Sequence, residues 1–163
     1  MIDNPTLKAA EAGYRQIYLE GIPFLLRQNE TAFLAFLSMA AGIDTLSGYR
    51  YQDINHEKRF QSFINEYFPP QYGPHAQNLY IFRCRMLHNS SPAHFTISHG
   101  TPSAHLYPSP IGDTVLNDQT FFDHFMDAAD LFFRELNADP ALQHGMLNRL
   151  QDLDRGGALW ITT

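Results

Sequence analysis

The sequence holds a single cysteine, Cys84, so no disulfide can close within the chain and a disulfide-framed secreted fold is excluded. It also lacks a long apolar run. The most apolar stretch, Phe33–Ile43, covers 11 residues and includes Ser38, whereas a membrane-spanning helix needs ~20 apolar residues. The first residues, Met1-Ile2-Asp3-Asn4-Pro5, offer neither a basic segment nor an apolar one, which predicts no secretory signal and a cytoplasmic protein without a membrane span. No glycine-rich phosphate loop is present, because Gly156-Gly157 falls after the last expected helix. His88, His94, His99 and His105 contain no H-x3-H pair, and only Cys84 and Asp113 lie nearby as further ligands. That spacing predicts no metal site and no cofactor. There is no internal repeat and no low-complexity tract.

What remains is an ordinary core in one domain spanning residues 1–163. The chain has 44% apolar and 13% aromatic residues, with 13 Phe and 8 Tyr among its 163 residues, enough to fold without metal or disulfide staples. The net charge of −6 argues against a general nucleic-acid binder. Its distribution is uneven. Residues 50–94 carry five Lys/Arg against three Asp/Glu, while residues 113–154 carry nine acids against Arg134 and Arg149. A mildly basic middle on an acidic body fits a small anionic-substrate site, and equally two differently charged faces.

Helical periodicity dominates. Leu7, Ala10, Tyr14 and Ile17 repeat near 3.6 residues, and Gly21 and Pro23 mark the end. A second helical region over 24–46 has a broad apolar face, with Asn29-Glu30-Thr31 either capping its second half or lying within it. A shorter helix over 58–67 stops at Pro69-Pro70. Another runs over 75–89, with Leu79, Phe82 and Met86, joined by Tyr80 and Leu87, turned inward. Residues 92–112 are rich in Pro and Gly around two β-like runs, 94–99 and 104–107, which predicts a small hairpin or ordered loop inserted around 93–108. Two helices close the chain, over 119–137 with Asp118 as cap and over 140–153 with Asp139 as cap and Pro140 at the first position. The Phe-rich stripe of 121–133 reads as core or a dimer seam. Asp123, Asp127 and Asp130 form a solvated stripe with an Asp130–Arg134 pair. The expected class is all-α, an antiparallel helical bundle with a small β-hairpin or loop insertion.

The segment Arg83-Cys84-Arg85-Met86-Leu87-His88 places two guanidiniums and an imidazole at the end of a mostly apolar helix. Cations suit a helix C-terminus, and in a purely structural role Arg83 or Arg85 would pair with Asp44 or Glu66. No Cys–His–acid constellation accompanies Cys84, so a thiol nucleophile is not expected. On an ideal helix, five residues set Arg83 and His88 about 140° apart, on different faces unless the helix breaks between them.

Arg, four residues, then His at a helix end resembles the motif of the HEPN superfamily (higher eukaryotes and prokaryotes nucleotide-binding), small all-α domains. The segment Ile43-Asp44-Thr45-Leu46-Ser47-Gly48, read as an acidic helix end with a small-residue turn, also resembles the family, as does the late amphipathic helix. The likeness covers roughly residues 24–137. It implies a HEPN-like bundle acting as a metal-independent endoribonuclease, often a toxin–antitoxin or defence component. His88 would then be the acid/base and Arg83 the phosphate clamp, oriented by Asp44. Arg85, Cys84, His94 and His105 would border the substrate. The partners implied are RNA, a second copy of the chain, and an antitoxin or nucleotidyltransferase-like protein. One position departs from the family: the residue after the motif Arg is usually Asn, Asp or His in active members, and here it is Cys84. The alternative is therefore a catalytically inactive HEPN-like module that binds a nucleotide or a partner.

Overall fold

The computed structural model describes residues 4–155, with side chains to residue 153; Gly156 and Gly157 lie outside the described residues. The chain is mostly helical with one two-stranded sheet. Helix α1 (Pro5–Tyr14) starts where Asn4 accepts the N–H groups of Thr6 and Leu7. The expected helix end at Gly21 is instead a change of winding: a π-helical stretch, Arg15–Glu20, leads into the short α2 (Ile22–Leu25). Gly21 has a right-handed φ of −77°, so it is no left-handed cap. Its lack of a side chain matters because a Cβ there would collide with the Ile17 carbonyl of the wider turn.

Asn29–Thr31 forms a separate 3-10 turn before α3 (Ala32–Arg50). Helix α3 buries residues on nearly every side, among them Phe36, Met39, Gly42, Ile43 and Leu46, as a helix without a polar face must. By length and composition Asn29–Arg50 could cross a membrane, and 56% of its apolar window is buried inside the protein. The segment 43–48, expected to hold a helix end and turn, lies wholly within α3. No residue there breaks the helix: Ser47 directs its hydroxyl to the Asp44 carbonyl, and Gly48 faces the guanidinium of Arg59.

Helix α4 (His56–Tyr67) starts two residues before expectation because Asn55 caps it through the Lys58 N–H. A 3-10 turn, Pro70–His75, leads into α5 (Ala76–Asn89), which ends at Ser90 in the left-handed region. Leu79, Phe82 and Met86 point inward as expected, but Leu87 is 47% exposed, so that inward assignment was wrong for Leu87. Helix α6 (Asp118–Ala138) is capped by Asn117 rather than Asp118, through the Thr120 N–H and hydroxyl. Helix α7 (Pro140–Arg155) begins with Asp139 as cap. The Phe stripe of α6 is core: Phe121, Phe122, Phe125, Phe132 and Phe133 are all buried.

The centre is aromatic. Phe36 of α3 meets Phe82 of α5 edge-on at 5.7 Å and lies beside Phe121 of α6 at 5.7 Å; such pairs add about 0.5–1.5 kcal/mol each beyond their buried area. Gly42 lets α1, α3 and α6 approach, since a Cβ there would sit 2.6 Å from the Phe125 ring and 3.0 Å from the Tyr14 hydroxyl. Phe36 pairs with Phe121 and Gly42 with Phe125 in the same sequence order, so α3 and α6 run the same general way. The bundle is not uniformly antiparallel.

The β-structure corrects the expected hairpin. Strand β1 (Phe95–Ser98) pairs in parallel with β2 (Thr114–Asn117), Phe95 opposite Thr114 and Ser98 opposite Asn117. A parallel pair needs a long crossover, and residues 99–113 supply it. The second β-like run, 104–107, is no strand, yet it does lie antiparallel to β2. Leu106 N–H donates to the Val115 carbonyl at 2.8 Å, and Val115 N–H to the Tyr107 carbonyl at 2.9 Å. The turn between them is closed by Ser109 N–H on the Asp113 carbonyl.

Candidate functional site

Helix α5 is unbroken from Ala76 to Asn89, so Arg83 and His88 keep their separation of about 140°. Arg83 is half-buried and turns toward α3, where its Nη2 bonds Asp44 Oδ2 in a short ion pair. His88 stands exposed on the last turn, beside exposed Arg85 and Leu87. Cys84 is half-buried between the two, with Arg83 Nη1 at 4.0 Å from its sulfur. The structure therefore joins Arg83 to Asp44 and does not bring His88 to Arg83 within one chain. Glu66 is taken by Arg50 at 2.9 Å.

Asp44 also faces Arg59 of α4, whose Nη2 lies 3.8 Å from Asp44 Oδ1. That distance is an ion pair but too long for a hydrogen bond. Arg59 is 8% exposed, and its Nη2 donates instead to His56 Nδ1 at 2.9 Å. Burial works against the charge on Arg83, and the Asp44 carboxylate, aided by Cys84, more than offsets it, holding the guanidinium pKa above its ordinary value. For Arg59 the balance reverses. Burial lowers its pKa, Asp44 opposes this, and the charges of Arg149 and Arg83 lower it further. Arg149 sits on α7 one turn beyond Gly145, which packs so tightly on Gln52 that a Cβ would lie 2.7 Å from its amide nitrogen. Arg149 makes no ion pair among the described residues. Asp44 Oδ1, Arg59 Nε and Arg83 Nε are buried without hydrogen-bond partners. Sequence reasoning found Asp44 and Arg83 but missed Arg59, whose position along the chain gives no sign that it faces Asp44.

The histidines separate into different environments. His94 is exposed, and only its backbone carbonyl is used, by Thr114 N–H. His105 does not border the α5 motif but is built into the sheet. Its Nδ1 accepts the Asn117 N–H at 3.1 Å, in place of the next ladder carbonyl. Its proton is thereby fixed on Nε2, which donates to Tyr72 Oη at 2.6 Å. Tyr72, fully buried, donates its own hydroxyl hydrogen bond to His124 Nδ1 at 2.8 Å. Burial, then His124 and His75, push the His105 pKa down to about 4. His99 Nδ1 donates to Asp118 Oδ2 at 2.6 Å, and Asp118, 1% exposed, also accepts the Gln119 N–H. Sequence reasoning placed Asp118 as a helix cap and did not foresee the contact with His99 or the roles of Tyr72 and His124.

The acidic stripe of α6 also departs from expectation. Asp130 bonds Arg15 at 2.7 Å rather than Arg134, because the π-helical turn carries Arg15 over α6. Arg15, Asp127, Asp130 and Arg134 line an open groove of about 440 Å³. Among the described residues, no group of three or more His, Cys, Asp or Glu is placed to hold a metal ion. No family model, curated protein or solved structure matches the chain, so the functional reading rests on residues and geometry.

Proposed function

We propose that the chain is a HEPN-type, metal-independent endoribonuclease that works as a pair of chains in a toxin–antitoxin or defence setting. One observation supports it above the others. A single unbroken helix presents Arg83, ionised and aligned by Asp44, and, on its last turn, His88 with an exposed imidazole. Metal-free RNA cleavage uses the 2′-hydroxyl as nucleophile. It requires one group to take or give a proton and a cation to balance the phosphorane charge. An imidazole performs the first task near neutral pH, and a guanidinium matches phosphate oxygens in two places and stays charged. Because the two side chains leave α5 in different directions, the complete site takes His88 and Arg83 from different chains. Arg85 adds positive charge beside His88, and exposed Leu87 gives a second copy an apolar contact.

A second reading, a HEPN-like binding module without catalysis, is favoured by the engagement of Arg83 with Asp44 and by Cys84 at the position after it. Incubating single-stranded and structured RNA with the protein in EDTA separates the two. The ribonuclease cleaves, and His88→Ala slows it by about 10²-fold or more, the scale of one general acid–base group. RNA left intact by the wild-type protein, or cut equally by both proteins, overturns the ribonuclease reading.

A further inference from the structure

Residues 100–112, between β1 and β2, are built as a strap. Gly100 and Gly112 stand at its two ends with φ of 74° and 91°, and a Cβ at either would meet nothing within 4 Å. Both ends can therefore swing without strain or collision. Between them Pro102, Pro108 and Pro110 stiffen the chain. The N–H groups of Ala104, His105 and Tyr107 bond carbonyls inside the strap, those of Thr101, Pro102 and Ala104. The strap lies along the outer edge of β2, where Leu106 and Tyr107 share a pair of backbone bonds with Val115. Leu106 has a φ of 61°, a strained setting for a residue with a side chain. Among the described residues, His105 is the strap side chain that hydrogen-bonds outside the strap, and it does so at both ring nitrogens.

We propose that acid opens this strap and that His105 is its latch. The neutral ring accepts the Asn117 N–H at Nδ1 and donates to Tyr72 Oη through Nε2. Tyr72 commits its own proton to His124, so it can only accept from His105. A proton on Nδ1 would set a second donor against the Asn117 N–H and break the hold on the sheet. No acid stands by to keep the protonated ring in place. The charges acting on His105 are those of His124 on α6 and His75 in the turn before α5, and β2 offers it a backbone N–H. At the start of α6, Asp118 is taken by His99 and Gln119, and Asp123 by Gln119. Once the strap is open, the ring returns from about 4 to an ordinary value near 6.5. The open form then binds a proton that the closed form refuses, so opening is favoured as the pH falls from ~6.5 toward about 4. Opening relieves Leu106 and bares the outer edge of β2 and the Tyr72 hydroxyl.

Hydrogen–deuterium exchange on the full chain at pH 7.5 and pH 5, corrected for the intrinsic pH dependence of amide exchange, tests the latch. The Leu106, Val115 and Asn117 amides lose about 30-fold in protection between the two conditions, the factor set by a ring pKa of about 4 closed and near 6.5 open. At pH 5 they exchange about tenfold faster or more than the amides of Met39 in α3 and Phe125 in α6, so the strap opens while the core stays closed. His105→Gln flattens the pH dependence of the strap amides, and His144→Gln, at an exposed imidazole on α7, leaves it in place. Strap amides as well protected as Met39 and Phe125 at pH 5 overturn the proposal, because the strap then opens only when the whole chain unfolds. That outcome is read on the wild-type protein alone. A loss of protection undiminished in His105→Gln overturns it as well.

Discussion

His105 shows how one side chain can be committed twice. Its Nδ1 completes the sheet by accepting from Asn117, and its Nε2–H anchors Tyr72. A protonated ring could not keep the first bond, because both nitrogens would then be donors. With the native pKa pushed down to about 4 and the unfolded value near 6.5, the unfolded chain binds more protons between those limits. Stability is therefore full above pH ~6.5 and lost as the pH falls toward about 4. Chemical denaturation at pH 7.5 and pH 4.5 measures this as a drop in wild-type stability that is smaller in His105→Gln. Identical drops in the two proteins would mean that His105 titrates as it does in the unfolded chain. Asp44 is the counterpart in charge: one carboxylate spans three helices, so its loss frees Arg59 and Arg83 together.

At the scale of elements, the tightest junction is Gly42, where α3 meets α1 and α6. Gly42→Ala places a methyl group 2.6 Å from the buried Phe125 ring. The strain outweighs the usual helix-propensity gain, so a loss of about 1–3 kcal/mol is expected from urea unfolding. A stability equal to or above wild type would show that Phe125 and Tyr14 can move aside. Helices were largely legible in the sequence because their signals are local: Asp139-Pro140 opens α7, Pro69-Pro70 closes α4, and the Phe periodicity of α6 marks its buried face. The π-helical turn and the capping of α6 by Asn117 were harder, since each depends on one residue's offset. The sheet was misread because strand partners lie far apart in sequence: His94–His99 and Ala104–Tyr107 are adjacent β-like runs, yet both align with residues 114–117. In the candidate site, Asp44 and Arg83 were legible through the motif. Arg59 came to face Asp44 only once α4 had packed on α3.

For the molecule as a whole, the proposed pairing of chains can be tested apart from cleavage by a single variant. Arg83→Ala and His88→Ala, each inactive alone, should regain activity when mixed and allowed to exchange. If the site draws Arg83 from one chain and His88 from the other, half of a fully exchanged population is mixed dimer, and each mixed dimer holds one intact site. Activity of about a quarter of the wild-type level is then expected from equal stability of all pairs. No recovery despite demonstrated exchange would place both residues' work within one chain and overturn the shared site.

The tie between Arg15 and Asp130 joins residues 115 positions apart, and Tyr14 packs on Phe125 and Phe133 of the same late helix. On a ribosome α1 emerges well before α6, so Tyr14 lacks the rings of Phe125 and Phe133 until α6 follows. At ~5–20 residues per second that interval lasts on the order of ten seconds. The packing of Tyr14 is thus completed late, and for that time part of the apolar side of α1 is available to chaperones or to another nascent chain.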